Sequence, residues 1–350
     1  MRALGMGRVM DEFQTRTTGD RRDRNRLAAR DDLGESLSGD RTYLVTGGAG
    51  FIGSHLAARL AVDGDVRVLD DLSTGSRHAV PETATLIEDD VTDREAVARA
   101  AEGVDVIFHL AAVVSVEESV ANPFETNRTN VDGTLAVLDA AREVGARVVL
   151  ASSAAVYGHP ESLPVTVDEP QDPQSPYGAS KAAADAYARA YEASYDVPVV
   201  ALRYFNVYGR GQRGPYSGVI DAFLERALDG EPLVVHGDGE QTRDFVHVSD
   251  VVRANVAAAT TDDTGTAYNV GTGRSVTINE LGSLVRTLVE TDVDVRHDPP
   301  RPGDVRHSRA ATTRTEDRLE FRARVGLEEG LADLISARAG RADGQLDSPR

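Results

Sequence analysis

The stretch YLVTGGAGFIGSHLAARL (43–60) leaves the chain few folds to choose from. A short apolar run ends in glycines, and an alanine- and leucine-rich amphipathic run follows, so the pattern changes from strand to helix across a turn. Gly47, Gly50 and Gly53 stand three apart. Glycine there permits a tight turn, close approach of the backbone to a pyrophosphate, and tight helix–strand packing, while the helix N-terminus faces the phosphates. The next apolar run, VRVLDD, ends in Asp70, 17 residues after Gly53. A carboxylate at that distance bonds the two hydroxyls of an adenosine ribose and repels a 2′-phosphate, which selects NAD over NADP.

The alternation continues with TATLIEDD, DREAVARAAEG and VDVIFHLAA as strand, helix and strand, a long helix from about Pro123 to Val144, and the strand ARVVLASS. Such a succession predicts an α/β fold, a Rossmann-type doubly wound parallel sheet. Ligands lie outside the carboxyl ends of parallel strands. Asp90 and Val91 are therefore expected at the adenine, and Leu110, Ala111, Ala112 and Val114 along the cofactor cleft. Asn130, on the long helix, is expected either to bond the cofactor or to cap a packing contact.

From Ser152 the chain reads SSAAVYG, and about two dozen residues later YGASK, which opens an alanine-rich helix free of Gly and Pro. Tyr177 and Lys181 fall four apart on one face of that helix. An ammonium beside a phenol stabilises phenolate, lowers the pKa from about 10 and makes a base for a hydroxyl proton. Lys181 is the single lysine of the chain; every other fixed cation is arginine. A compact ammonium is thus kept at one place in a composition that discards it elsewhere.

With 57 Asp+Glu against 38 Lys+Arg, the net charge is −19. That field opposes non-specific nucleic-acid binding, and together with the near-absence of lysine it suggests a high-salt cytoplasm such as that of haloarchaea. No cysteine is present, which excludes disulfides and thiolate metal sites. His236 and His247 lack metal-ligand spacing, so no metal is expected. Without a long apolar run or a signal-peptide core, a soluble cytoplasmic protein with no membrane partner is expected. Residues 1–40 carry 8 Arg and 8 Asp+Glu without a hydrophobic period and are expected to be disordered or an over-long translated start.

Taken together, TGGAGFIG, DDLSTG, HLAA, SSAAVYG, YGASK and RYFNVYG resemble the extended short-chain dehydrogenase/reductase superfamily, in its nucleotide-sugar epimerase/dehydratase branch, over about residues 42–338. The resemblance implies a tightly held NAD, bound by Gly47, Gly50, Phe51, Ile52 and Gly53, by Asp70, Asp71, Leu72, Ser73, Thr74 and Gly75, and by Phe205 beyond the cleft residues above. It implies that Tyr177 is the base and acid, that Lys181 lowers its pKa and holds the nicotinamide ribose, and that Ser153 bonds the reacting hydroxyl. Asn206 would touch the substrate nucleotide, and Arg243 (TRDF) and Arg301 (RPGD) would clamp its diphosphate, for which a guanidinium fork is suited. Ser308, seven residues after Arg301, would leave room for an N-acetyl group at C2 of the sugar.

Dehydratase and decarboxylase relatives carry acids after the active-site serine or threonine. Ala154 and Ala155 stand there instead, which leaves elimination without an acid or base and favours 4-epimerisation. The expected substrates are UDP-glucose/UDP-galactose, with UDP-GlcNAc/UDP-GalNAc in addition. UDP-glucuronate epimerisation, dehydration or reduction is the alternative, and a non-catalytic NAD-binding regulator the remote one. The expected organisation is an NAD domain at 41–205, a smaller α/β substrate domain at 206–338 with returns to the first, and a disordered tail at 339–350. A homodimer is expected through the helices after Pro123 and Tyr177.

Overall fold

The structure, a computed structural model, describes residue 37 and residues 40–212, 218–301 and 304–344. The N-terminal extension apart from Leu37 and Asp40, part of the PYSGVI loop, the centre of RPGD and the end of the tail lie outside the described residues. In chain order the first half comprises β1 (Thr42–Thr46), α1 (Phe51–Leu60), β2 (Asp65–Asp70), β3 (Thr85–Glu88), α2 (Arg94–Ala101), β4 (Val106–His109), α3 (Val116–Ala121) and α4 (Pro123–Asn127). A π-helical turn (Arg128–Asp132), α5 (Gly133–Val144), β5 (Arg147–Ser153), a 3-10 turn (Ala154–Tyr157), α6 (Pro176–Tyr195) and β6 (Val199–Tyr204) follow. The second half holds β7 (Asn206–Tyr208), α7 (Val219–Asp229), β8 (Leu233–His236), β9 (Thr242–Arg243), β10 (Phe245–His247), α8 (Val248–Ala258) and β11 (Thr266–Val270). It closes with β12 (Val276–Thr277), α9 (Ile278–Val289), β13 (Val295–Asp298), α10 (Thr313–Leu319) and α11 (Leu327–Gly344).

Seven strands form one parallel sheet in the order β3-β2-β1-β4-β5-β6-β11. The apolar runs are buried on both faces, as parallel strands between helices must be. One face packs Leu56 and Leu60 of α1 and Val251 and Val252 of α8 over the sheet; the other packs α2, α5 and the inner side of α6. Strand order reverses between β1 and β4, so the cleft opens at their carboxyl ends. Local signals set the helix bounds. Ser175 caps α6, its Oγ accepting from Gly178 N at 3.1 Å, and Pro176 fills the first turn. Gly145, at φ 75°, ends α5 in the left-handed conformation that favours glycine.

The smaller lobe has its own core, centred on Phe223, Leu224, Leu233, Leu281, Val285 and Leu331. Around it lie three two-stranded pairs: β8 with β13, β7 with β10 and β9 with β12. The smaller core is distinct from that of the sheet, while β11 and α8 return to the large sheet, so the described residues from Leu37 onward form one compact unit. Two differences from the expected elements stand out. The long helix is broken by the π-helical turn around Asn130, and α11 runs on to Gly344, past the expected start of the tail.

Candidate active site

The glycine turn fits a dinucleotide. Gly47 sits at φ 69°, and a Cβ there would meet Ala111 N at 2.6 Å; a Cβ on Gly53 would meet Gly47 O at 2.1 Å. Side chains are thus excluded on both flanks, and backbone lines the space in which a pyrophosphate would sit. Helix α1 has no side-chain cap at Gly50 and no acid in its first turn, so its free N–H groups suit an anion. Asp70 is buried and accepts Ala49 N and Leu72 N, each at 2.9 Å, on separate oxygens. Each oxygen keeps a further lone pair for ribose hydroxyls, and burial pushes the carboxyl above its ordinary pKa. Asp71 accepts Ser73 N (3.0 Å) and Ser73 Oγ (2.6 Å), and Gly75 lies so close to Ala49 that a Cβ would overlap it. The DDLSTG loop, Thr74 included, is therefore folded against the glycine turn. Phe51 and Ile52 open α1 as expected.

At the centre of the cleft the structure brings together Ser153, at the end of β5, and Tyr177 and Lys181, on α6. Ser153 lies near enough to Tyr177 to draw its phenol pKa down. Ser153 Oγ accepts Ala155 N at 3.1 Å, so its proton is the group free to face the phenol oxygen. Lys181 is buried, and its Nζ donates to Ala151 O at 2.9 Å, which leaves two of its three protons for other acceptors. Here the structure corrects the expected electrostatics. Burial pushes the phenol above its ordinary value, and the neighbouring Ser153 draws it part of the way back. Burial lowers Lys181 itself to about 8. His109 completes the floor: burial and the Lys181 charge push it to about 3, so its imidazole is neutral, bound to Thr46 Oγ1 (2.7 Å) and Thr134 Oγ1 (3.0 Å).

Several residues expected at the cofactor have other partners within the protein. Asn130 is buried, and its side chain bonds Val113 N (2.8 Å), Val113 O (2.9 Å) and Ser180 Oγ (2.8 Å). Both of its donor hydrogens are committed, so it holds the loop behind Leu110, Ala111 and Ala112 in place of reaching the cofactor. Val91 is a core side chain packed on Gly133, leaving its backbone as the group for an adenine. Asp90, half-exposed, caps its own turn at Thr92 N (2.8 Å) and pairs with Arg128 at 3.5 Å. Val114 is exposed. Phe205 is buried with Val156, Tyr157, Val165 and Ala310 beneath the 3-10 turn that follows Ser153.

The substrate candidates cluster in the smaller lobe. Ser308 N donates to Thr242 O at 3.1 Å, which sets Ser308 beside the strand carrying Arg243. Arg243 pairs with Asp304, whose own N–H bonds Arg301 O at 3.3 Å. Arg301 in turn lies 3.3 Å from His236 Nε2. The two arginines are therefore linked through Asp304, each already engaged. Asn206 bonds Asp244 O through both N (3.0 Å) and Nδ2 (3.1 Å). Asp244, which sequence reasoning passed over, is fully buried and accepts from Thr272 N, Thr272 Oγ1, Gly273 N and Ala310 N at 2.6–3.0 Å. It fixes the lobe's inner wall, and its acidic neighbourhood in TRDF was the available signal. His307, the residue before Ser308, lines a cavity of ≈380 Å³ with His159, Leu163 and Val305. No cluster of metal-ligating side chains occurs among the described residues, nor is any helix among them long and apolar enough to cross a membrane.

The profile of the NAD dependent epimerase/dehydratase family matches residues 43–271. The UDP-glucose 4-epimerase of Mycolicibacterium smegmatis is 39% identical over 303 residues, covering 83% of this chain and 96% of the relative. A solved UDP-N-acetylglucosamine 4-epimerase from Methanobrevibacter ruminantium, in complex with UDP-N-acetylmuramic acid, is 37% identical with a TM-score of 0.83, covering 86% of this chain and 99% of that one. The dTDP-glucose 4,6-dehydratase of Streptomyces venezuelae, solved with NAD, is 34% identical with a TM-score of 0.81 and covers 86% of this chain and 98% of its own.

Proposed function

Since the chain belongs to the NAD dependent epimerase/dehydratase family, we propose that it inverts C4 of a UDP-linked sugar with Ser153, Tyr177 and Lys181 as its working groups. It is an NAD-dependent nucleotide-sugar 4-epimerase. The observation that carries this assignment over the dehydratase alternative is Ser153 set beside Tyr177 and Lys181, followed by Ala154 and Ala155 where an elimination needs a carboxyl group.

NAD held in the cleft would supply the hydride acceptor for C4 and the hydride that reduces it again. Asp70 would receive the adenosine ribose hydroxyls, the N-terminus of α1 the pyrophosphate, and the two spare Lys181 protons the second ribose. Tyr177 removes the proton of the 4-hydroxyl, with Ser153 donating to that oxygen, and gives the proton back after the 4-keto sugar has turned its other face. Lys181, charged below about 8, favours the phenolate while it is present. Arg243 and Arg301 would hold the diphosphate as the sugar turns, exchanging Asp304 and His236 for phosphate oxygens. The small side chain of Ser308 supports acceptance of UDP-GlcNAc/UDP-GalNAc alongside UDP-glucose/UDP-galactose.

Phe124, 91% exposed, Val120, Tyr187 and Tyr195 lie on α3, α4 and α6, and these exposed apolar side chains support a homodimer built on those helices. Composition supports a cytoplasmic, salt-adapted protein that does not bind nucleic acid.

The test is NMR of UDP-glucose and, separately, UDP-GlcNAc with the enzyme in molar KCl. Formation of the C4 epimer without added cofactor is expected. Accumulation of a 4-keto product, or no change in either donor, would sink the assignment.

A further inference from the structure

Three residues of α6 face the last three residues of β5, one for one. Tyr177 lies beside Ser153, which draws its phenol pKa down; Lys181 Nζ bonds Ala151 O at 2.9 Å; Asp185 Oδ2 accepts Ser152 Oγ at 3.1 Å. The three stand at i, i+4 and i+8, on one helix face. Two of these contacts belong to the site already described. The third joins a wholly buried carboxylate to the residue beside Ser153.

Asp185 is itself held. Arg203 of β6 reaches it through Nε (2.9 Å to Oδ2) and Nη2 (3.2 Å to Oδ1), and Arg189, one turn further along α6, bonds Oδ1. Arg203 Nη1 also donates to Tyr157 Oη and to Val167 O, both at 2.8 Å, and its guanidinium lies 5.0 Å from the centre of the Tyr157 ring. Tyr157 closes the 3-10 turn that Ser153 caps. The pair therefore connects the helix of the base, the strand of the serine and the turn after that serine.

We propose that Asp185, anchored by Arg203 and acting through Ser152, is a positioning residue that fixes Ser153 beside Tyr177. Burying this ion pair is poor value for stability alone, since apolar replacements of such pairs are often neutral or better. Its geometry serves spacing: the side-chain hydrogen bonds that tie α6 to the end of β5 among the described residues are the Ser152 rung and the one from Lys181 to Ala151. Misplacement by a fraction of an ångström matters at a proton-transfer site far more than in a core.

The inference rests on the epimerase assignment, so wild-type activity is measured first. Absence of wild-type 4-epimerisation would refute the assignment and, with it, the inference. With an active wild type, Ser152→Ala changes no charge near Arg189, Arg203, Tyr157, Lys181 or the neutral His109. It is expected to lower kcat about 3–10-fold, leave KM within about twofold, and move the rising limb of the pH–rate profile upward, with Ser152→Thr restoring all three. Asp185→Asn/Arg203→Met removes the ion pair without stranding either partner. It is expected to melt near the wild type yet lose about 10–100-fold in kcat while retaining NAD. Wild-type kcat and pH profile in Ser152→Ala would overturn the proposal. So would full activity in a well-folded double variant. Should the double variant fail to fold, the Ser152→Ala profile decides alone.

Discussion

Ser153 uses its oxygen and its proton for different ends: the oxygen receives Ala155 N, and the proton is left free to face Tyr177. Because Ser153 opposes the upward push of burial on the phenol, Ser153→Ala should raise the phenol pKa. Catalysis needs phenolate, so the rising limb of kcat against pH should move to higher pH, with about a 10²-fold loss at neutral pH; rate profiles and ultraviolet titration of the phenol check both. Tyr177→Phe should cost about 10²–10⁴-fold in kcat while bound NAD is retained. Lys181 adds the opposite limb. Its folded pKa, depressed to about 8, means that its charge is present below that value and lost above it, so activity should decline on the alkaline side. At the far end of the cleft, Asp70→Ala should bring the affinities for NADP and NAD together, as calorimetry on cofactor-stripped protein would show. An equal preference in the wild type would contradict the role of Asp70.

Among elements, the strand–glycine turn–helix unit is the least tolerant of change. A methyl group on Gly53 would sit 2.1 Å from Gly47 O, a backbone atom that cannot step aside. Gly53→Ala should therefore destabilise by about 1–3 kcal/mol and release NAD, measurable by thermal melts and by the cofactor content of purified protein. This unit, the parallel sheet and the Tyr177–Lys181 face were legible in sequence because each rests on short-range periodicity and spacing. What stayed hidden depends on partners far apart in the chain. For Asn130 the sequence left a cofactor bond and a packing cap open; its partners Val113 and Ser180 come from elsewhere in the fold, and the π-helical turn that carries it has no local signature. Arg203 reads as one polar residue in an apolar strand; only the fold supplies Asp185, Tyr157 and Val167 around it. Asp244 likewise accepts from Thr272, Gly273 and Ala310, which lie 28 to 66 residues further along the chain.

For the whole molecule, charge and surface dominate. A net −19 repels itself in dilute buffer, and molar salt shortens the screening length to about 3 Å. The melting temperature should therefore climb with KCl; a flat or falling response would remove the case for salt adaptation. Phe124→Asp should convert a dimer to monomers in analytical ultracentrifugation, and an unchanged dimer would move the interface elsewhere. The sheet, finally, has an order of manufacture. Its seventh strand, Thr266–Val270, pairs with Val199–Tyr204 but is translated long after it. As the nascent chain leaves the ribosome, the first six strands are complete while one border of the sheet still offers unpaired N–H and C=O groups. The NAD half is thus finished by a strip that the sugar half delivers. A chain terminated at residue 212 should emerge as a sticky, aggregation-prone fragment, and co-expression of the missing half is the condition under which it would become soluble.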